Sequence, residues 1–477
     1  MSEYRRKTKI ICTIGPASSD VETLEKLMEN GMNVARFNFS HGTYDAFEEW
    51  FNNVETAREK LDLPVATLLD TKGPEIRLGN FKNPNGVTIK TGDEFTLTTD
   101  DVEGDEHRAS VTFKGLPSDV KRGTKILIND GLIELEVQKV VGNDILCTVI
   151  DGGLLTNHKG VNVPNVPLAM PYLSQKDMQD LKFGAKMGYD FIAASFCRTA
   201  ADIVLLRDFC HALGWNDVKI IAKIENREGV NNIDSIINEA DGIMIARGDM
   251  GVEIPFEQIP AIQKEIIHKV LVEGKIVVTA TQMLESMVTN PRPTRAEITD
   301  VANAVYDGTS ALMLSGETAM GAHPVEAVKT MDTIAKTTEQ DINYVERFEN
   351  SVRFHKAGDI TSAISHATVT TALDLNAKAI IAVTKSGMTA RQISKYRPTS
   401  LIISATTSKK VQRQSNLSWG VISVLCEEKS NTDELFDHAV DVAVKAGIIE
   451  EGDIVVITAG IPLGQSGTTN MLKVHEV

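Results

Sequence analysis

Most of this chain alternates between short apolar runs, rich in β-branched residues, and longer stretches with helical periodicity. The stretch DVETLEKLMENG (residues 20–31) is typical of the helical kind, with an Asp cap at its start and Gly31 at its end. Strands that alternate with helices predict βαβ units and a parallel sheet. Eight such runs favour a closed (β/α)8 TIM barrel over an open sheet, with its active site at the carboxyl ends of the strands. The runs are residues 9–15, 33–40, 64–71, 189–196, 218–225, 241–249, 275–282 and 310–317.

The alternation breaks once, between about Pro74 and Pro171. Helical periodicity vanishes there, and strand-like stretches with Asn-Asp-Gly and Gly-Asn-Asp turn signals replace it. We therefore expect an all-β domain, a β-barrel, inserted in the loop after the third barrel strand. Gly73-Pro74 on one side and Pro167 with Pro171 on the other are its expected hinges. A mobile β-domain above a barrel mouth would act as a lid.

A further α/β unit follows the eighth run. Its strand AIIAVT (379–384) leads through KSGMT into a helix, and IVVITAG (454–460) leads into a Gly-rich tail. A length of 477 residues accommodates two or three domains. The predicted domains are the catalytic barrel, the inserted lid and a C-terminal α/β regulatory domain. Their expected limits are residues 1–73 with 172–347, residues 74–171 and residues 348–477.

Composition excludes several classes of partner. The net charge of −16 argues against nucleic acid and anionic membranes. The five scattered cysteines contain no CxxC pair, which favours free thiols in a reducing compartment over a structural zinc site. No run of 18 apolar residues and no signal-peptide pattern is present. We expect a soluble, cytoplasmic protein.

The run VKIIAKIE (218–225) is apolar but ends in two charges. Residues two apart on a strand share a face, so Lys223 and Glu225 point the same way at its carboxyl end. Most of the other runs also end in polar residues, and a barrel would gather these into one ring. They are Arg36, Asn38 and Ser40; Asp70 and Thr71; Arg247 and Asp249; Thr281; and Ser315 and Glu317.

This set of residue types suits phosphoryl transfer. Glu225 and Asp249 are oxygen ligands of the kind that Mg²⁺ or Mn²⁺ prefers. Lys223 is a fixed positive charge for a phosphoryl group in transfer, and Arg36 offers a second donor. The remaining oxygens form a plausible cage for a monovalent cation: Asn38, Ser40, Asp70 and Thr71.

Each residue alone has a simpler interpretation. A single Lys-x-Glu at a strand end is more often a solvated ion pair, and an Asp after Gly is more often a turn residue or helix cap. The prediction therefore depends on the agreement of many strand ends. The sequence contains no GxxxxGK[ST] and no GxGxxG motif. The residues by themselves thus predict only metal-dependent chemistry on a small phosphate-bearing anion.

Long stretches that span nearly the whole chain resemble the pyruvate kinase family. The resemblance implies transfer of the phosphoryl group of phosphoenolpyruvate to ADP, giving pyruvate and ATP in the last step of glycolysis, with Mg²⁺ and K⁺ required. The matching stretches are KIICTIGPAS (9–18), MNVARFNFSHG (32–42), LLDTKGPEIR (68–77), NHKGVNVP (157–164), IIAKIENREG (220–229), DGIMIARGDMGVE (241–253), VTATQMLESM (278–287), NPRPTRAEITDVANAVYDGTSALMLSGETA (290–319) and SGTTN (466–470).

The resemblance also implies residue roles. Lys223 would stabilise the phosphoryl group in transfer, and Arg36 would meet the phosphate. Glu225 and Asp249 would bind Mg²⁺ or Mn²⁺, and Thr281 would stand near the enol as a proton relay.

Further roles follow from the same resemblance. Gly248 and Asp249, at the helix start that follows, would seat the substrate carboxylate, as helix N-termini bind anions. Glu75 accompanies K⁺ dependence in the family, so we expect a K⁺ requirement. The K⁺ ligands would be Asn38, Ser40, Asp70 and Thr71. The nucleotide-binding positions would be Asn38, Phe39, Ser40, His41, Arg77 and Lys159.

Regulation is predicted from one loop of the C-terminal domain. In the family this loop binds a sugar-phosphate effector, often fructose 1,6-bisphosphate, and the family is usually a homotetramer. Here Met388 replaces a residue that is often basic, and EKSNTDELFDHAV lacks the Trp and Arg of some relatives. An effector with one phosphate, such as AMP or ribose 5-phosphate, is therefore equally consistent, as is an ordinary βα turn. The expected contacts are Thr384, Lys385, Ser386, Gly387 and Thr389.

Two other functions compete with this prediction. A barrel lyase or aldolase of the phosphoenolpyruvate/pyruvate type would also place Glu and Asp on barrel strands to bind Mg²⁺. Such an enzyme has no use for a nucleotide lid, and dependence on ADP would separate the two. A metabolite sensor with an inactive site is the other alternative, and it predicts effector binding without turnover.

Overall fold

A closed barrel of eight parallel strands forms the centre of the molecule. The structure, a computed structural model, describes residues 5–350, 359–429, 431–461 and 469–477. β1 pairs with both β2 and β17, which closes the barrel in the order β1-β17-β16-β15-β14-β13-β3-β2. The predicted (β/α)8 barrel is thus confirmed. Its strands, numbered along the chain, are β1 (Lys9–Thr13), β2 (Val34–Asn38), β3 (Ala66–Asp70), β13 (Phe191–Ala194), β14 (Lys219–Ile224), β15 (Gly242–Ala246), β16 (Ile276–Ala280) and β17 (Ala311–Leu314).

Helices surround the barrel and cover its outer face. Local capping explains where several begin: Asp20 accepts a hydrogen bond from the Thr23 N–H at 2.9 Å, as the sequence predicts. Ser174 and Asp177 form a capping box at the start of another helix. The helices are α1 (Val21–Glu29), α2 (Tyr44–Lys60), α4 (Gln175–Met187), α5 (Ala200–Ala212), α6 (Arg227–Asn231), α7 (Ile233–Glu239), α8 (Arg247–Glu253), α9 (Ile259–Val272), α10 (Arg295–Asp307), α11 (Gly316–Ala319), α12 (Pro324–Asp341) and α13 (Tyr344–Glu349), with 3₁₀ turns at Phe256–Gln258 and Glu285–Val288.

An all-β unit with one short helix, α3 (Leu116–Asp119), follows β3, as predicted. Seven of its strands form one sheet in the order β4-β12-β8-β9-β10-β6-β7, and β5 and β11 form a ribbon. An isolated bridge between Leu78 and Val111 joins the two edges of the sheet, so the sheet curls back on itself around its own core. The strands are β4 (Ile76–Arg77), β5 (Val87–Ile89), β6 (Glu94–Thr98), β7 (Arg108–Ser110), β8 (Lys125–Ile128), β9 (Ile133–Val141), β10 (Asp144–Asp151), β11 (Gly153–Leu155) and β12 (Gly160–Asn162).

The C-terminal part of the chain is a second α/β unit. Its five-stranded sheet has the order β20-β19-β18-β21-β22, with β22 antiparallel to β21. Across the described ranges, no helix has the length and apolar character needed to cross a membrane. The strands are β18 (Ala379–Val383), β19 (Leu401–Thr406), β20 (Val421–Leu425), β21 (Ile454–Gly460) and β22 (Thr469–Glu476), and the helices are α14 (Ile360–Asp374), α15 (Met388–Ser394), α16 (Lys409–Ser415) and α17 (Thr432–Lys445).

Candidate active site

Lys223 occupies the centre of the polar ring at the carboxyl ends of the strands. Its side chain is 11% exposed, and its Nζ lies 2.9 Å from the Glu225 Oε1 and 3.1 Å from the Asp70 Oδ1. The Nζ also donates to the Ser195 Oγ at 2.8 Å. These partners come from the neighbouring strands β3 and β13 and from the end of β14 itself. The strand ends therefore converge on one buried ammonium group.

Asp70 links Lys223 to Arg36. The Arg36 Nε lies 2.6 Å from the Asp70 Oδ2, and its Nη1 donates to the Thr13 Oγ1 at 2.7 Å. Burial alone would raise the pKa of the Asp70 carboxyl, but Arg36 and Lys223 outweigh it and hold that pKa below the ordinary value. Asp70 is therefore an anion between two cations, and it fixes the position of both.

Glu225 and Asp249 are the two predicted metal ligands. Burial raises the pKa of the Glu225 carboxyl to about 7 despite the opposing effect of Lys223, and the charge of Asp249 raises it further. The Glu225 Oε2 accepts from the Phe196 N–H at 2.5 Å, and its Oε1 is buried 2.9 Å from the Lys223 Nζ with no other partner among the described residues. A buried carboxylate oxygen of this kind, beside a second carboxylate, fits a hard divalent cation.

The donor set at this place is small. Within the ranges that the structure describes, no three His, Cys, Asp or Glu side chains converge as a ready-made metal site. Two carboxylates leave most of an octahedral shell to water and substrate, which is how Mg²⁺ is usually bound in phosphoryl-transfer sites.

Asp249 reaches the site from a helix rather than from a strand. The sequence pattern placed Arg247 and Asp249 at the end of a strand, and this was wrong. β15 ends at Ala246, and α8 begins at Arg247, so Asp249 lies in the first turn of α8. The chain turns at the barrel rim, and the Gly248 N–H donates to the Thr281 Oγ1 at 2.8 Å. The helix start thus precedes Asp249 instead of following it.

Thr281 has a strained backbone. Its φ of +68° is rare for a β-branched residue. The Thr281 Oγ1 donates to the Ala280 carbonyl at 2.6 Å, and the Thr281 carbonyl accepts from Arg247 Nη2 at 2.8 Å. Arg247 itself forms a two-pronged ion pair with Asp300, each N–O distance being 2.7 Å. Arg247 therefore holds the turn that presents the Thr281 hydroxyl.

The four residues predicted to bind a monovalent cation come from two neighbouring strands. Asn38 of β2 is the register partner of Asp70 of β3, and Thr71 follows directly. The Asn38 Oδ1 accepts from the Ser40 N–H at 3.2 Å, which brings Ser40 back over the strand end. All four supply oxygen atoms only, a donor chemistry that fits K⁺.

The predicted nucleotide positions lie partly on the barrel and partly on the insertion. Arg77 pairs with Glu75 at 2.8 Å and donates to the His158 carbonyl at 2.9 Å, next to Lys159. His41 is exposed beyond the end of β2. Phe39 differs from the others, since its ring is 1% exposed and stacks on Phe47 in the core at a centroid distance of 4.2 Å. The Phe39 side chain cannot contact a nucleotide, so only the main chain of Phe39 can serve as the predicted nucleotide contact.

The predicted effector loop joins β18 to α15. Gly387 has a φ of +76°, and its N–H donates to the Thr384 Oγ1 at 3.0 Å. The hydroxyls of Thr389 and Thr469 lie 2.8 Å apart, so the C-terminal strand closes one side of the loop. Lys385 is exposed. Of the matching tail SGTTN, residues 466–468 lie outside the described residues.

Sequence reasoning did not select two residues that shape this site. Ser195 binds Lys223, and Thr13 binds Arg36. Ser195 ends the run 189–196 in the same way that Asp70 and Glu225 end theirs, so the strand-end pattern could have found it. Glu317, by contrast, ends its run but accepts from the main-chain N–H groups of Leu284 and Ser315, so it supports a loop.

Comparison with known proteins identifies the family of this chain. A family model described as pyruvate kinase, barrel domain, matches residues 5–328, and a second, pyruvate kinase, alpha/beta domain, matches residues 362–475. A pyruvate kinase of Geobacillus stearothermophilus is 50% identical over 475 residues, covering 99% of this chain and 81% of that protein. A pyruvate kinase of Clostridium acetobutylicum is 48% identical over 473 residues, covering 99% of this chain and 100% of that protein.

A solved structure has the same fold. The crystal structure of a pyruvate kinase from Cryptosporidium parvum superposes with a TM-score of 0.93 at 40% sequence identity, covering 99% of this chain and 96% of that chain. Family models, full-length relatives and a solved structure thus agree on one family. This chain belongs to the pyruvate kinase family of phosphotransferases.

Proposed function

We propose that the protein transfers the phosphoryl group of phosphoenolpyruvate to ADP, forming pyruvate and ATP as the last step of glycolysis, and that it requires Mg²⁺ (or Mn²⁺) and K⁺. The observation that carries this proposal is the buried Lys223, held by Asp70 and Ser195 next to the carboxylates Glu225 and Asp249. An ammonium fixed beside two metal-binding carboxylates suits a phosphoryl group that gains charge in transit.

The chain's own residues divide the work of the reaction. Lys223 stabilises the charge on the phosphoryl group as the bond between phosphorus and the enol oxygen breaks and a bond to an oxygen of ADP forms. Hydrogen bonds to Asp70 and Thr13 fix the orientation of the Arg36 guanidinium, which is the proposed donor to the phosphate. The enolate left behind takes a proton, and the hydroxyl of Thr281 is the proposed relay. The Gly248 end of α8 is the proposed binding place of the substrate carboxylate.

Cations complete this site. Glu225 and Asp249 would hold Mg²⁺, which supplies charge neutralisation to the phosphoryl oxygens when bound. Asn38, Ser40, Asp70 and Thr71 are the proposed K⁺ ligands. Glu75 lies close to this set in the chain and pairs with Arg77. We therefore expect activity to depend on K⁺.

The insertion is the proposed lid over ADP. Arg77 lies on β4, and Lys159 directly precedes β12, where Gly160 pairs with Arg77. The proposed barrel-borne contacts are Asn38, Ser40, His41 and the main chain of Phe39. Closure of the lid would bring the two sets together around the phosphates of the nucleotide. The predicted hinges at residues 73–74 and 167–171 and the domain limits given above remain part of this proposal.

We propose that the loop from Thr384 to Thr389 binds a sugar phosphate or AMP. The hydroxyl groups of Thr384 and Thr389, the left-handed Gly387 and the exposed Lys385 support phosphate binding there. A homotetramer is proposed from the family. A reducing, cytoplasmic location is proposed in agreement with five buried, unpaired cysteines.

A coupled assay with lactate dehydrogenase, phosphoenolpyruvate, ADP and Mg²⁺ tests the proposal. We expect ADP-dependent turnover that collapses when K⁺ is replaced by a large organic cation. Lys223→Met should lower kcat by about 10²- to 10³-fold, because a fixed electrostatic donor is lost. Lys219→Met is the matched control, since Lys219 pairs with Asp241 at the opposite end of the same strand.

The other outcomes are equally informative. Turnover that does not depend on K⁺ would support the kinase activity and contradict the proposed K⁺ site. Consumption of phosphoenolpyruvate without ADP would favour a lyase or aldolase. Effector binding without any turnover would favour a metabolite sensor.

A further inference from the structure

A carboxylate is buried at the base of the barrel, at the end opposite to the active site. Asp190 is 0% exposed and directly precedes β13. Its Oδ2 accepts from the Thr67 N–H at 3.0 Å, and its own N–H donates to the Thr67 carbonyl at 3.1 Å. Its carbonyl accepts from the Lys219 N–H at 3.2 Å. Asp190 therefore ties together the starts of three neighbouring strands, β3, β13 and β14.

The ion-pair partner of this carboxylate comes from the C-terminal domain, and the charge of Arg58 on α2 also acts on it. Arg413 of α16 donates to the Asp190 Oδ1 from its Nε at 3.0 Å and from its Nη2 at 2.9 Å. The neighbouring Gln414 donates to the carbonyls of Asp190 and Asp217 at 3.0 and 2.8 Å. A buried charge that loses its partner is costly in free energy, so the buried position of the Asp190 carboxylate depends on α16.

The same three strands carry the centre of the active site at their other ends. β3 ends at Asp70, β13 is followed by Ser195, and β14 carries Lys223. Only the four residues of β13 separate Asp190 from Ser195, a distance of about 16 Å in an extended strand. β13 pairs with β14 and with β3 between these two ends, so a displacement of Asp190 along the barrel axis would move residues that are hydrogen-bonded towards the rim.

We infer that Asp190 and Arg413 are positioning residues for the reaction. Through this pair, α16 of the C-terminal domain fixes the position of β3, β13 and β14 along the barrel axis. It thereby fixes the contacts of Lys223 with Asp70 and Ser195. This inference rests on the proposed role of Lys223 in phosphoryl transfer. It assigns the C-terminal domain a part in catalysis that does not need any bound effector.

A second ion pair between the same helix and the barrel provides the contrast. The Lys410 Nζ lies 2.9 Å from the Asp217 Oδ1, but the Asp217 side chain is 64% exposed. Lys410 is one turn away from Arg413 on α16, and its pair is open to solvent on the Asp217 side, so it contributes less than a fully buried pair. Lys410→Gln therefore removes a contact between the domains without touching Asp190.

The test compares Arg413→Gln with Lys410→Gln in the full-length protein, with kcat and the KM for phosphoenolpyruvate measured well below each melting temperature. For Arg413→Gln we expect kcat to fall by about tenfold or more, since small displacements of reacting groups are costly. The KM for phosphoenolpyruvate should rise by about threefold or more, a change that an unfolded fraction does not cause. Lys410→Gln should match the wild type in both constants.

Two further variants guard against misfolding. Asp190→Asn combined with Arg413→Gln removes both charges, so it should fold better than Arg413→Gln alone while still losing kcat. Arg413→Lys restores the charge without the fork and should recover part of the loss. The inference is overturned if Arg413→Gln keeps both wild-type constants, or if only its folded fraction falls. A wild-type protein without pyruvate kinase turnover would instead overturn the proposed function.

Discussion

The Lys223 ammonium nitrogen lies 2.8 Å from the hydroxyl oxygen of Ser195, and Ser195 donates its own hydrogen to the Thr71 carbonyl at 2.6 Å. The serine thus links the central cation to the strand that carries Asp70 and Thr71. A hydrogen bond to a charged group contributes more than one between neutral groups, about 1.5–3 kcal/mol.

We therefore expect Ser195→Ala to lower kcat by about tenfold, because Lys223 loses one of the three groups that hold it. Ser400→Ala is the matched control, since Ser400 is also buried and donates to a carbonyl, that of Ala377, at 2.7 Å in the C-terminal domain. Steady-state kinetics would check both. Equal kcat values for the two variants would mean that Ser195 only supports the fold.

Two substitutions of Thr281 should have the same effect on backbone strain but different effects on kcat. Thr281→Ser and Thr281→Ala both remove the β-branch at a φ of +68°, which relieves strain. Only the serine keeps a hydroxyl to accept from the Gly248 N–H. We expect Thr281→Ser to stay within about threefold of the wild-type kcat and Thr281→Ala to lose about tenfold or more. Similar kcat values for both variants would exclude a proton relay through this hydroxyl.

Substitution of the proposed metal ligands should weaken the binding of a divalent cation, which can be measured in the absence of turnover. We expect Glu225→Gln and Asp249→Asn to weaken Mn²⁺ binding by about 10²-fold or more, as measured by electron paramagnetic resonance of free Mn²⁺. Glu253→Gln is the control: it lies at the end of α8, and its carboxylate accepts from the Asn162 amide at 3.4 Å. Loss of Mn²⁺ in this control as well would place the cation elsewhere on α8.

Lys9 predicts a pH dependence of stability. Burial, helped by Arg6 and opposed by Glu339, lowers the pKa of Lys9 from 10.5 to about 7, and its Nζ donates to the Val421 carbonyl at 2.7 Å. Between these two values the unfolded chain holds a proton that the folded protein has lost, so the free energy of unfolding rises with pH. This contribution of Lys9 to the free energy of unfolding is complete above pH 10.5 and is lost as pH falls towards 7.

Urea unfolding of the wild type and Lys9→Met between pH 6.5 and about 9.5 would measure this effect. We expect the wild type to gain stability relative to the variant as pH rises. Lys26→Met is the control, because Lys26 forms an exposed ion pair with Glu22. A constant difference between wild type and Lys9→Met across this range would contradict the lowered pKa.

The fold was predictable because its signals are local. Each barrel strand and each helix has its own periodicity, and the insertion changes that periodicity abruptly at Pro74. The polar ring was predictable for the same reason, since alternation along VKIIAKIE puts Lys223 and Glu225 on one face. Phe39 follows the rule too: it lies beside Asn38, so its ring faces the surrounding helices.

The remaining features depend on contacts that no local pattern contains. The start of α8 at Arg247 has no side-chain cap, so nothing in the sequence separates the helix from β15. The pairing of Asp190 with Arg413 joins residues far apart in the chain, and charge alone does not select it among the many acids and bases present. The strained Thr281 is held by Arg247 through tertiary contacts.

The pairing of Asp190 with Arg413 also has a consequence for how the molecule is assembled. The chain is synthesised from its N-terminus, so Asp190 leaves the ribosome long before its cation does. Until α16 is made, the carboxylate at the base of the nascent barrel lacks its ion-pair partner and has only the charge of Arg58 near it, so burying it there is less favourable. A barrel cut off after residue 350 should therefore fold poorly, because the last quarter of the chain supplies an ion pair that the first three quarters need.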